Sequence, residues 1–444
     1  METELEIARR AVELAVAAGA DQAEATCTAV QRFSTEARDR EVAKLEQSRA
    51  QNLTLRIFVR GAKATFSTTD PSPAGLENFT REAVAAARFV ESDEYGGLPE
   101  ETGIAASDAS LGMFSDDIAA RSAGAKIGDA LELESIARAT DPRVVNSNGS
   151  RVSDTSLRLA LVNSNGFAGQ YRSTVASLNA TPIAQDGAAK WSGSYGAAAR
   201  SYGALEAVGA VASKAAHRAL GMIGARKPAT MRCPVLFERD VASNVFADVF
   251  ASVSAANVAS GNTFLAGSVG SRIGSDLVTI VDDGLLPLGL GSSPFDAEGV
   301  PAQRTVVMEN GTLRTFLYDT YHGRKLGHAS TGNAAGGSVG ASNFYLEPGT
   351  ASLFELIAST ERGVLVTETI GFSVEWVTGT YSRGARGYMI ENGALAYPID
   401  EFTIAGNLGG MLAAVDAVAN DLVFDQAIVA PSFRVAEMTI SGGS

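Results

Sequence analysis

Three histidines, two cysteines, a few adjacent carboxylates and several glycine-rich turns are the groups in this 444-residue chain that could carry chemistry. The imidazoles are His217, His322 and His328. His322 and His328 stand six residues apart, which is not the i, i+4 spacing that brings two imidazoles to one helical face as zinc ligands. Neither H-E-x-x-H nor H-E-x-x-x-H occurs. His217 falls in a helical stretch and is expected at the surface. Cys27 and Cys233 can form neither a disulfide framework nor a four-thiolate zinc site, and they read as buried small hydrophobes in a reducing compartment.

Gly336-Gly337-Ser338-Val339-Gly340 matches G-x-S-x-G. The serine of that motif works on a sharp turn from a buried strand into a helix. Here a polar run, Ser330-Thr331-Gly332-Asn333, precedes it and a strand follows, so a Gly/Ser loop is expected. Asp282-Asp283 is a carboxylate pair before Gly284, where a turn accounts for it. Gly267–Gly274 lacks the G-x-G-x-x-G order of a dinucleotide site. Residue chemistry alone yields no catalytic constellation.

The elements that would position these groups centre on Pro234–Gly284. Val235–Phe237 reads as a strand. The stretch from Asp240 to Val258 reads as a helix, with Val241, Val245, Val249, Val253, Phe246 and Phe250 on one broad apolar stripe. Asp276–Val281 alternates like a strand and stops at Asp282-Asp283-Gly284. Upstream, a helix over Glu4–Ala18 precedes strands at Ala23–Arg32, Val42–Ser48 and Asn52–Arg60, with Lys63–Thr69 as hairpin partner. Ser72 caps a helix to about Phe89, and Asp116 opens another to about Thr140. Two copies of Asn-Ser-Asn-Gly, Asn146–Gly149 and Asn163–Gly166, suggest turns of a meander. A strand, Thr174–Ala180, and a helix, Ala204–Leu220, complete the first half. The second half is mostly strands: Pro301–Glu309, Leu313–Tyr318, Asn343–Glu347, Gly363–Thr369, Gly387–Glu391 and Ala394–Ile399. Asn310-Gly311 and Asn392-Gly393 mark hairpins, and a helix runs over Leu408–Val418. The expected fold is α+β in two domains. Residues 1–224 form an α/β domain, a sheet with flanking helices, and residues 225–444 form a strand-rich domain wrapped around a central helix.

A net charge of −14 argues against a nucleic acid or an anionic membrane as partner. The N-terminal stretch METELEIARRAVELAV has no basic head or cleavage site, so no secretory signal is expected. No uncharged apolar run approaches the ~20 residues that cross a bilayer. A cytoplasmic location is expected.

Several motifs taken together carry a resemblance. They are Arg362–Phe372 (RGVLVTETIGF), Thr378–Ala385 (TGTYSRGA), Ile390–Gly393, Tyr397-Pro398, Thr403–Leu408, Gly332-Asn333 and Val278–Asp283. With the N-terminal helix–strand–hairpin–helix order, they resemble the TldD/PmbA family, bacterial and archaeal metallopeptidases also called modulators of DNA gyrase. The resemblance spans nearly the whole chain. It implies two branches that pair as a heterodimer. The TldD-type branch holds zinc through a helical H-E-x-x-x-H and a cysteine near the C-terminus. Counted from Thr263-Phe264, those helical positions fall on Phe246, Ala247 and Ala251, and no cysteine follows Cys233.

The chain therefore resembles the PmbA (TldE) branch. The resemblance implies a subunit with no cofactor of its own, zinc belonging to a TldD-like partner, and action on unfolded peptides. A homodimer, an independent hydrolase using Ser338 or the His322/His328 segment, and a homodimeric peptide-binding or structural protein are the alternative readings. Tyr318, Asp319, Arg324, Lys325, Thr331 and Asn333, expected in one polar loop, are the candidate substrate contacts.

Overall fold

The first helix, Glu4–Ala17, opens with a capping box in which the Thr3 hydroxyl accepts from Glu6 N–H and the Glu6 carboxylate accepts from Thr3 N–H. In this computed structural model, residues 2–371 and 374–442 are described; Phe372, the last residue of one motif above, lies outside them. The helix lays Ile7, Ala8, Ala11, Val12 and Ala15 on a seven-stranded antiparallel sheet. The sheet runs in the order Ala62–Thr68, Glu41–Val59, Gln22–Arg38, Val144–Asn163, Ala168–Asp186 and Ala189–Ser192, with Tyr195–Ala199 also paired to Ala168–Asp186.

Its strands are longer than the sequence suggests. Val42–Ser48 and Asn52–Arg60 are one 19-residue strand whose first ten residues are exposed on both faces. With neither face buried, no alternation of apolar residues marks the continuity. The two Asn-Ser-Asn-Gly copies also differ. Asn163–Gly166 is the expected turn, the Asn163 side chain accepting from Asn165 N–H (3.0 Å) and Phe167 N–H (3.1 Å). Asn146–Gly149 instead lies within the 20-residue strand Val144–Asn163, where the register slips between Ser147 and Ser150 as a bulge. The helix expected from Asp116 is two: Asp117–Ala120, then Ala123–Ala139 capped by Ser122. Helices Pro73–Ala87 and Val208–Gly221 complete the cover.

In the second half, five strands close on themselves. Met231–Phe237 pairs with Phe433–Ser441, which pairs with Ala394–Asn407, then Thr380–Glu391, then Arg362–Ile370, which returns in parallel to Met231–Phe237. A barrel removes the unpaired edges of such a sheet. Asn392 (φ 52°) and Gly393 (φ 73°) make the expected left-handed hairpin turn. A smaller sheet, Thr312–Leu313, Arg304–Glu309, Ile280–Asp283, Phe344–Leu346 and Ile428–Val429, lies across the central helix from the barrel.

The central helix is Arg239–Val253 and stops short of Val258. Ser254 is extended and bridges to Leu317, whose N–H donates to Val253 O (3.0 Å) and whose carbonyl accepts from Ala255 N–H (2.9 Å). A short helix, Ala255–Ala259, follows. Likewise Leu408–Ala413 gives way to the strand Val415–Val418, which pairs with Phe433–Ser441. In both places tertiary strand pairing overrides a helical pattern.

The two halves are tied by buried charge. Arg56 on the first sheet donates to Glu24 on the neighbouring strand and, at 2.8 Å, to Glu298 of the second half. Arg324 donates to the carbonyls of Gly97 (3.2 Å) and Leu98 (2.7 Å).

Candidate functional site

The central helix is held between two aromatic contacts. Phe246 meets Phe433 of the barrel edge-on at 5.8 Å, and Phe250 meets Phe344 of the small sheet at 5.5 Å. Phe246 is fully buried, Ala247 is exposed and Ala251 is half-buried. All three side chains are hydrocarbon and offer no lone pair to a metal. A zinc ion does not fit these positions. Among the described residues no group of three or more His, Cys, Asp or Glu is placed to hold a metal.

One carboxylate on this helix escaped the sequence reading. Asp248 is buried within the apolar stripe and accepts from Arg383 at 2.7 Å. Burial pushes its carboxyl upward and Arg383 opposes that. Arg383 belongs to the Thr378–Ala385 motif on a barrel strand, so the motif's cation clamps the barrel to the helix. The available signal was an aspartate among Val245, Phe246 and Val249, a position that requires a cation.

Asp240 and Asn244 extend the outward side of the helix that carries Ala247 and Ala251, and they line a cavity of about 560 Å³. Its other walls are Asn179 and Gly196 of the first sheet and Thr367–Thr369 and Arg386 of the barrel. Arg218, which lines it, pairs with Asp240 at 2.6 Å and donates to Glu238 at 2.7 and 3.0 Å. Arg239 reaches the Tyr195 hydroxyl at 2.9 Å. Burial pushes Glu238 up to about 7, with Arg218 opposing. The cavity thus presents both signs of charge, from Arg218 and Arg386 and from Asp240 and Glu368.

The expected polar loop contains a helix, Thr320–Leu326. Asp319 caps it, accepting from His322 N–H at 2.7 Å, and Gly327 (φ 76°) ends it. Seven residues without an apolar stripe gave no periodic signal, although both end markers are legible in the sequence. Tyr318, Asp319 and Asn333 are buried, and Lys325 is exposed. Thr331 accepts from Tyr318 N–H (2.8 Å) and donates to Asn333 (2.7 Å), whose amide donates to Asp282 (2.6 Å). Tyr318, Thr331 and Asn333 are therefore brought together, whereas Arg324 points to the other half of the molecule.

Asp282 and Asp283 end the strand Ile280–Asp283; Asp283 opens the expected turn, its carboxylate accepting from Leu285 N–H at 2.9 Å, whereas Asp282 faces inward and takes no part in it. Asp282 is buried, accepts also from Ser342 N–H (2.9 Å), and is pushed by burial up to about 6. His322 Nδ1 lies 2.7 Å from Asp319, His328 stacks on Tyr318 at 4.9 Å, and His217 is exposed. Ser338 is exposed in the short hairpin Ala334–Ala335/Ser338–Val339, with no helix behind it. Cys27 and Cys233 are free and buried, each thiol pushed up to about 11 by burial.

Glu238, Asp282 and Asp296 (about 7, through burial) all bind their protons more tightly folded than unfolded. Their stabilisation is complete below the ordinary carboxylate range and disappears as pH rises through about 6 to 7. The urea midpoint is therefore expected to fall between pH 5 and pH 8. Asp282→Asn should flatten that slope, by about 1.4 kcal/mol across the window. An equal slope in the variant would remove Asp282 from the account.

Residues 230–442 match the family described as PmbA/TldA metallopeptidase C-terminal domain, residues 116–223 its central domain and residues 23–87 its domain 1. The Metalloprotease PmbA homolog of Haemophilus influenzae is 33% identical over 434 residues, covering 97% of this chain and 94% of that protein. Metalloprotease PmbA of Escherichia coli O157:H7 is 31% identical over 436 residues, covering 97% and 94%. Among solved structures, a Bacteroides thetaiotaomicron protein named for modulation of DNA gyrase superposes with a TM-score of 0.93 at 26% identity, covering 100% of both chains. TldE from Thermococcus kodakarensis gives 0.87 at 21% identity, covering 98% of this chain and 100% of that one, a likeness of fold. No helix among the described residues is long and apolar enough to cross a membrane.

Proposed function

Because the chain belongs to the PmbA/TldD metallopeptidase family, we propose that it is the non-catalytic subunit of a peptidase complex. Its partner is a TldD-like homologue that carries zinc, and the pair handles unfolded peptides in the cytoplasm. The observation that carries this reading is the hydrocarbon at Phe246, Ala247 and Ala251, where the zinc-bearing branch has its ligands and general base. This subunit supplies walls and polar edges: the 560 Å³ cavity beside Asp240 and Asn244 is the region for peptide binding. Of the loop candidates, exposed Lys325 is the one suited to contact a peptide. Self-association into a homodimer is compatible with this role in the absence of the partner.

The test is reconstitution. The purified chain is expected to hold less than a tenth of an equivalent of zinc by elemental analysis and to leave an unfolded casein substrate intact. Adding a zinc-bearing homologue should produce cleavage. One tightly held zinc per chain overturns the proposal. So does cleavage by this chain alone that is lost in Ser338→Ala or His322→Ala.

A further inference from the structure

Away from the central helix, a second cavity of about 330 Å³ lies between the first sheet and the loops of the second half. Its floor is one face of the sheet, where Leu157 pairs with Ser173 and Leu159 with Tyr171. Phe295 and Met113 add apolar surface. Into this space, apolar on the sheet side and more polar along the loops, comes Arg200, only 5% exposed. Among the described residues no carboxylate lies within ion-pair distance of it, and its Nε has no hydrogen-bond partner. Its Nη2 donates to the Gly289 carbonyl and, at 3.5 Å, to that of Ser292. Burial lowers its pKa to about 10. Asp296 also lines the cavity, but its oxygens already accept from the N–H groups of Glu298 (2.9 Å), Val300 (3.0 Å) and Ala334 (2.9 Å). Tyr171 lines the same cavity; its hydroxyl makes no hydrogen bond to the described residues, and burial pushes it up to about 12.

A buried guanidinium with an idle donor and no counter-charge is costly by itself. Its Nε–H is left free to give a charge-assisted hydrogen bond to a carboxylate oxygen. The volume is at the small end of ligand sites, and an apolar lining with a few convergent polar groups is their usual make-up. We propose that this cavity binds a small carboxylate with an apolar body, the Arg200 guanidinium and the Tyr171 hydroxyl donating to the carboxylate. The ligand is a free apolar acid or the C-terminal residue of a peptide. This site is separate from the 560 Å³ cavity and does not rest on the accessory-subunit reading.

Calorimetric titration of the full chain with N-acetyl-leucine, and with its amide as control, tests this. One saturable site is expected for the acid and none for the amide. Arg200→Met should weaken binding at least tenfold and Tyr171→Phe several-fold, with the fold checked by circular dichroism. A five-residue peptide with a C-terminal leucine that binds as tightly as the acid identifies a chain end; its failure beside a binding acid identifies a free acid. Absence of binding, equal binding of acid and amide, or unchanged affinity in a folded Arg200→Met overturns the proposal. Should Arg200→Met fail to fold, unchanged affinity in Tyr171→Phe does the same.

Discussion

Arg56→Ala is expected to lower the stability of the protein by about 3–5 kcal/mol, the usual cost of leaving buried charge without its partner. Two carboxylates depend on this one guanidinium. Glu24 and Glu298 are both buried; on Glu24, Arg56 donates only to Oε1, and Glu24 Oε2 has no hydrogen-bond partner among the described residues. Glu298 also fixes the start of the Thr320–Leu326 helix by accepting from Thr320 N–H at 3.0 Å. The loss should therefore spread from the junction into the second half. In urea the transition is expected to shift and broaden as the halves lose their common midpoint. Neutralising all three groups in Arg56→Met/Glu24→Gln/Glu298→Gln should recover much of the loss, because no orphaned charge remains. An unshifted midpoint in Arg56→Ala would show that the contact does not join the halves.

Asp248→Ala is expected to have a comparable effect, again about 3–5 kcal/mol. The pair with Arg383 has both side chains only 10% exposed, and Arg383 Nε already lacks a partner. Without the carboxylate, the guanidinium sits between helix and barrel beside Tyr381 with nothing to balance it. Asp248→Asn keeps the shape and one acceptor, so it should cost less. A double-mutant cycle with Arg383→Met isolates the coupling, which is expected to exceed 1 kcal/mol; for solvent-exposed pairs the figure is usually below that. Additive losses in the cycle would rule out a direct interaction.

The central helix was legible because its apolar residues recur at three and four. The Asn-Gly hairpin was legible because only a few residues accept a left-handed backbone. What escaped notice depends on distant partners. Asp282 read as a turn residue because a glycine follows closely; its actual setting is made by Asn333 and Ser342, 51 and 60 positions onward. The Arg56 cluster draws on residues 32 and 242 positions away, and no local pattern announces such a meeting. At the candidate site, Phe246 and Ala251 were found by counting from a motif, whereas Asp248 was passed over because its neighbours are all apolar.

The barrel also has a consequence for synthesis. Met231–Phe237 is flanked by Arg362–Ile370 on one side and Phe433–Ser441 on the other, so the ring stays open until the last of these emerges. The first sheet has all its strands by residue 199. On the ribosome, the first half can fold while the second waits, its central helix exposed for roughly ten seconds or more at ordinary elongation rates. Chaperone capture during translation should therefore be concentrated on ribosomes that have passed residue 253 and not yet reached residue 433.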